Sequence, residues 1–158
     1  REMLVKKMLE YIKDDGGSVL VYNESFEKTR IKELAIFYPE YAQRLYDINE
    51  RLYDLLHVVK TNSKLFSALG YDDERAKVVN YYHEDLSGSY SIKKVLPIFS
   101  NLTYKGMEVS NGMEAVYAYA GYTKLNDAEL RQTRASLKRY CQQDTWAMVE
   151  ILKELRKI

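Results

Sequence analysis

Two carboxylates stand where apolar residues are expected. In the last long stretch, Ala128 to Ile158, the residues Leu137, Cys141, Met148, Ile151 and Leu155 recur at helical spacing. That pattern predicts one buried stripe. Asp144 fills its gap, between Cys141 and Met148. A charge on the core side of a helix is costly unless it meets a cation, a metal or a proton. Tyr140 lies four residues earlier, which puts its hydroxyl over the same turn. The second carboxylate is Glu27, one turn before the stripe Ile31, Leu34 and Tyr38. Its helix, Glu24 to Tyr38, follows a strand, and ligands collect at the carboxyl ends of strands in open α/β sheets. The competing reading is that Glu27 complements the helix dipole.

The Tyr-x-x-x-Asp spacing carries little weight. With 15 tyrosines and nine aspartates in 158 residues, chance gives about one match, and the chain has three: Tyr11/Asp15, Tyr81/Asp85 and Tyr140/Asp144. Only Asp144 interrupts an apolar stripe. The first two aspartates fall in a Gly-Gly turn and a loop.

The elements that must position these groups are mostly helical. Met3 to Lys13 predicts a helix with Leu4, Met8, Tyr11 and Ile12 as its apolar face. Asp14-Asp15-Gly16-Gly17 stops it. Val19 to Tyr22 predicts a buried strand, and Asn23 can cap the helix after it. Pro39 opens a third helix, extending to Val59. Lys60 to Lys77 is polar and mixed and predicts an insertion, with a short helix at Ser63 to Leu69. Val78 to Tyr82 predicts a second strand. Ser89 or Ser91 can cap a helix from Ile92 to Phe99, which Pro97 would shorten or kink. Leu102 to Val109 predicts a hairpin-like excursion, and Gly112 to Tyr119 a small helix. Asn126 with Glu129 predicts a capping box for the final stretch. The reading is one α/β domain over 1–158, dominated by helices.

Composition excludes several classes. Net charge is +1, so no global field draws nucleic acid or an acidic membrane, and any anion site is local. No apolar run reaches membrane-spanning length. The single cysteine, Cys141, excludes an internal disulfide and predicts a buried thiol in a reducing compartment, the cytoplasm. The 15 tyrosines read chiefly as core edges. Arg1 stands in a helical segment, and the apolar strand Val19–Tyr22 needs neighbours. Both point to a part of a larger protein with further strands upstream. An unpaired edge of that strand predicts self-association.

A resemblance now has residues to rest on. Asn23-Glu24-Ser25-Phe26-Glu27 after a valine-rich strand resembles the second motif of the DEDD proofreading-exonuclease superfamily, Asn-x-x-Phe before an acid. Tyr140 to Asp144, followed by Thr145 and Ala147, resembles the third motif in its tyrosine form. Tyr81-Tyr82-His83, the run Gly88 to Pro97, Leu102-Thr103-Tyr104, and Gly112-Met113 with Ala115 resemble an uncharacterised bacterial domain family assigned to that superfamily. The match runs from about Gly17 to Leu155.

The resemblance implies a partial ribonuclease H-like fold lacking its first strands, and metal-dependent 3′–5′ exonuclease chemistry. Asp144 and Glu27 would be ligands to Mg2+ or Mn2+, and Tyr140 would orient the attacking water. Single-stranded nucleic acid would be the partner. Lys93 and Lys94 open a helix after a serine-rich loop, where a backbone phosphate could sit; the competing and plainer reading is a solvated face. The pattern departs in two places. The superfamily's Asp-x-Glu motif has no counterpart before Glu27, and Glu replaces Asp at position 27. The isolated chain is therefore expected to be inactive. The alternative is a helical binding or scaffold module without catalysis, in which Glu27 and Asp144 pair with basic residues such as Arg30 or Lys94. His57 and His83 have no cysteine partners at zinc spacing and read as structural or exposed. Trp146 lies off the stripe, free to stack on a base or to pack against another segment.

Overall fold

The computed structural model describes residues 1–157; Ile158, the end of the predicted last helix, lies outside them. The described residues form a helix-dominated chain with a two-stranded parallel sheet. They gather into two compact units, Arg1–Tyr82 and His83–Ile158.

The first unit is a strand–helix–strand crossover with a helix before it and short helices after it. Helix α1 spans Glu2–Tyr11, strand β1 Val19–Val21 and helix α2 Glu24–Phe37. A 3₁₀ turn at Pro39–Tyr41 leads into α3, Ala42–Glu50, and then β2, Leu52–Asp54. The strands pair in parallel, with Val19 opposite Leu52 and Val21 opposite Asp54. Helices α4 (Leu55–Val59), α5 (Ser63–Ala68) and α6 (Asp73–Lys77) follow. Val5, Ile31, Ala35, Leu45 and Ile48 form the core, with Met8, Leu9 and Ile12 against it. The inward face of α1 is therefore rotated by one residue from the predicted stripe, and Leu4 and Tyr11 are exposed.

Two predicted elements are corrected here. The helix expected from Pro39 to Val59 is broken at Arg51 and gives its place to β2. The Arg51 guanidinium explains the break. It donates to the carbonyls of Gly17 and Lys13 and to Asp47, which ties the end of α3 to the loop before β1. The strand expected at Val78 to Tyr82 is not a strand. Asn80 and Tyr81 donate their amides to the carbonyls of Lys60 and Val59, at 2.7 and 3.0 Å. The segment thus closes the end of α4 instead of joining a ladder.

The second unit is built on one long helix. Helix α7 spans Ile92–Phe99, α8 Gly112–Ala120 and α9 Asp127–Leu155. The predicted capping box is formed: Asn126 accepts from the Ala128 and Glu129 amides, and Glu129 accepts from the Asn126 amide at 2.9 Å. Helix α7 runs through Pro97 to Phe99. Its Val95 and Leu96 are fully buried, as are Ala147 and Ile151 on α9. A buried side chain of the size of Leu96 contributes about 1.5–3 kcal/mol. The segment expected as a hairpin-like excursion, Leu102 to Val109, is irregular. It places Tyr104 and Val109 in the interior, each 5% exposed.

The stripe of α9 is also rotated by one position. Ser136, Ala147 and Ile151 are buried, and Tyr140 and Asp144 are half-buried between them. Cys141, expected inside, is exposed, because the inward face passes through Tyr140.

Candidate functional site

The sequence-predicted residues fall in two places, Glu27 in the first unit and Tyr140, Asp144, Lys93 and Lys94 in the second.

Glu27 sits in the first turn of α2, just past the carboxyl end of β1. Asn23 opens that turn in the left-handed region, at φ 71°, and its side chain does not cap the helix. The cap comes instead from Asp54, the last residue of β2. The Asp54 carboxylate accepts from the amides of Asn23 at 3.0 Å, Glu24 at 2.9 Å and Leu56 at 2.9 Å. One buried side chain thus closes the N-termini of both α2 and α4, joining the ends of the two strands. Asp54 is 4% exposed. His57 stands beside it, with Nε2 3.6 Å from Oδ2.

This clamp fixes the start of α2 and with it Glu27. The Glu27 Oε2 atom is buried without a hydrogen-bond partner. Burial first, and the nearby Asp54 charge second, hold the Glu27 carboxyl above the usual carboxylate range. The same two causes push the neighbouring Tyr22 hydroxyl up.

Asp144 has the opposite surroundings. Buried Tyr104 donates its hydroxyl to Asp144 Oδ1 at 2.7 Å. The rings of Tyr104 and Tyr140 lie 6.3 Å apart between centroids. Burial and hydrogen bonding to Asp144 push the hydroxyls of both tyrosines well above their ordinary range, so both stay protonated donors. The structure therefore brings Tyr140 and Asp144 together as α9 spacing predicts, and adds Tyr104. Lys93 is drawn into the same group, with Nζ 5.9 Å from the centre of the Tyr104 ring.

Neither Glu27 nor Asp144 forms an ion pair among the described residues. Arg30, a candidate partner for Glu27, is bound to Glu33 at 2.9 Å. No group of three or more metal-ligating side chains is gathered among the described residues. No described helix is long and apolar enough to cross a membrane.

Asp54 and Tyr104 were not legible as site residues. For Asp54 a signal exists: an aspartate directly before Leu55-Leu56-His57-Val58-Val59 is a helix N-cap pattern. Tyr104 meets Asp144 across 40 residues of sequence, and no local pattern announces it.

Comparison with known proteins places the chain. Residues 1–91 match a domain of unknown function, DUF2779. The chain belongs to the DUF2779 family. This DUF2779 chain is also similar to three uncharacterised proteins. The MG366 homolog of Mycoplasma pneumoniae is 32% identical over 149 residues, covering 87% of this chain and 20% of that protein. UU173 of Ureaplasma parvum is 29% identical, covering 89% of this chain and 21% of its own. MG366 of Mycoplasma genitalium is 28% identical, covering 85% and 20%. The chain thus spans about a fifth of the length of these curated relatives. No solved structure matches it.

Proposed function

We propose that this DUF2779 chain supplies part of the catalytic site of a metal-dependent 3′–5′ exonuclease acting on single-stranded nucleic acid in the cytoplasm, with a partial ribonuclease H-like fold. The observation that carries this reading is the Glu27 carboxylate. Its Oε2 is buried, lacks a hydrogen-bond partner, and lies at the carboxyl end of a parallel strand. A carboxylate kept this way loses stability to the fold, and a cation repays that loss. The position is also where Asn23-x-x-Phe26 leads in the motif the sequence resembles.

The residues present fit Mg2+ or Mn2+, which prefer carboxylate oxygens and water. Glu27 offers an orphaned oxygen, as a direct or water-bridged ligand. Asp144 accepts from Tyr104 and keeps lone pairs for a metal. A metal held by such carboxylates would supply activation of a water and charge stabilisation for an in-line displacement at phosphorus. Tyr104 orients Asp144, and Tyr140, held protonated, is a donor that can orient the attacking water. The remaining ligands come from the rest of the longer protein, as do the strands that add to an edge of the β1–β2 pair. In the isolated chain a second copy takes that edge, which light scattering detects as a concentration-dependent dimer.

The rival, a binding module without catalysis, needs Glu27 and Asp144 to be neutralised by basic side chains. Arg30 is engaged with Glu33, which counts against it. The test is a cleavage assay on the full-length protein with a single-stranded oligonucleotide and Mg2+ or Mn2+. Wild type is expected to cleave from the 3′ end, and Glu27→Gln and Asp144→Asn to lower the rate about 100-fold or more. The 158-residue chain alone is expected to be inactive. Robust metal-dependent cleavage by that chain, or full activity in both variants, would contradict the proposal.

A further inference from the structure

We infer that the second unit carries a track for a single strand of nucleic acid: a lysine-walled phosphate cavity that continues past Thr103 to a stacking hollow at Trp146. The inference rests on the nuclease reading and names how its polymer is held. A cavity of about 860 Å³ opens where α7 begins, walled by Lys93, Lys94 and Lys105. None of these three lysines forms an ion pair among the described residues. Ser89, Ser91 and Ser110 line the same space, and the Ser110 hydroxyl donates to Glu114 at 3.0 Å. One carboxylate, Asp85, shares the wall, its side chain 79% exposed beside His83; Glu114, which accepts from Ser110 and feels the Lys93 charge, borders it. Three lysines lining one cavity against a single lining carboxylate, with Ser89 and Ser91 beside them, suit a ligand rich in acceptor oxygens and negative charge, which is the chemistry of a phosphate ester.

A second hollow, of about 520 Å³, adjoins it, because Thr103 lines both. Trp146 stands there with Arg139, Gln142 and Gln143. The indole is 51% exposed. An aromatic face set among a guanidinium and two amides suits a nucleobase, which stacks and also offers polar edges. An apolar protein partner would leave those polar groups unpaired. Tyr104 ties the track to the candidate site. Its ring lines the lysine cavity, and its hydroxyl holds Asp144. A phosphate in that cavity therefore lies one side chain from the carboxylate.

Trp146 is the chain's only tryptophan, so its fluorescence reports the stacking directly. The experiment titrates the chain in EDTA with a twelve-residue oligothymidylate and, separately, with thymidine monophosphate, from low to moderate salt. The oligonucleotide is expected to quench Trp146. Its log K should fall against log salt with a slope of about −2, since three lysines each neutralise a phosphate at about 0.7 per contact on a single strand. The combined Lys93→Ala, Lys94→Ala, Lys105→Ala variant should flatten that slope by about 2. Trp146→Leu, read with a labelled oligonucleotide, should bind about tenfold more weakly. Mononucleotide binding that depends on the lysines and quenches Trp146 would assign the track to a free nucleotide's phosphate and base. Three results would overturn the inference: an unchanged slope in the lysine variant, no quenching of Trp146, or equal affinity in Trp146→Leu. Because EDTA removes metal, lysine-dependent binding beside a full-length protein that does not cleave would contradict the nuclease reading and leave the track standing.

Discussion

Glu27 and Asp144 are the same kind of group in the same kind of place, yet the two units treat them differently. Each lies on a helix one turn from a buried residue. Asp144 is received by a buried tyrosine hydroxyl and has a second tyrosine beside it. Glu27 is brought inward by the Asp54 clamp and left with an oxygen unpaired. The Tyr104 hydroxyl accounts for part of the Asp144 carboxylate and leaves lone pairs for the proposed metal. The unpaired Glu27 oxygen lowers stability, a loss that the proposed cation would offset.

The largest expected effect lies on the clamp that creates this contrast. Asp54→Ala strands three backbone amides at two helix starts and should destabilise the first unit by about 3 kcal/mol. Amide hydrogen exchange at Asn23, Glu24 and Leu56 would show it as lost protection. Unchanged protection would mean that the start of α2 is held by something else. Next comes the satisfied side. Tyr104→Phe keeps the ring and removes the donor to Asp144, at a cost of about 1.5 kcal/mol in urea unfolding followed by Trp146 fluorescence. Combined with Tyr140→Phe the loss should be non-additive, since both hydroxyls serve one carboxylate.

Glu27→Gln reverses the sign. Burial and the Asp54 charge raise the Glu27 pKa, so the folded chain favours the protonated form. That contribution is fully present below the unfolded value of about 4.3 and is lost as pH rises through the folded value. In metal-free buffer the wild type should therefore fall behind Glu27→Gln as pH rises from about 4. By neutral pH the variant should be more stable by about 0.5–1 kcal/mol. Parallel stability curves for the two proteins would show that the Glu27 charge is not penalised. The smallest effect is at Cys141. Being exposed, its exchange to serine should change stability by less than about 0.5 kcal/mol.

Much of the fold was legible in the sequence where local signals suffice. The β1 strand, the Asn126 capping box and the helices at α2, α7, α8 and α9 follow from turn residues, caps and periodicity. The stripes of α1 and α9 were each read one residue off. An exposed Leu4 or Cys141 counts as apolar in a pattern, while the true inward positions at Ser136 and Tyr140 are polar. Strand β2 was hidden because Leu45, Ile48, Leu52 and Leu55 continue at helical spacing. The break is made by Arg51 reaching carbonyls 34 and 38 residues away. The site was half legible for the same reason. Misplaced charges show in a sequence, but the groups that hold them, Asp54 and Tyr104, act across 30 and 40 residues.

The contrast between the two carboxylates can be measured with Mn2+, whose unpaired electrons broaden nearby amide signals even when binding is weak. In the 158-residue chain, Mn2+ should broaden the amides from Asn23 to Lys28, and Glu27→Gln should remove that broadening. Equal broadening in wild type and Glu27→Gln, or none at that helix start at any Mn2+ concentration, would contradict the assignment of Glu27 as a metal ligand.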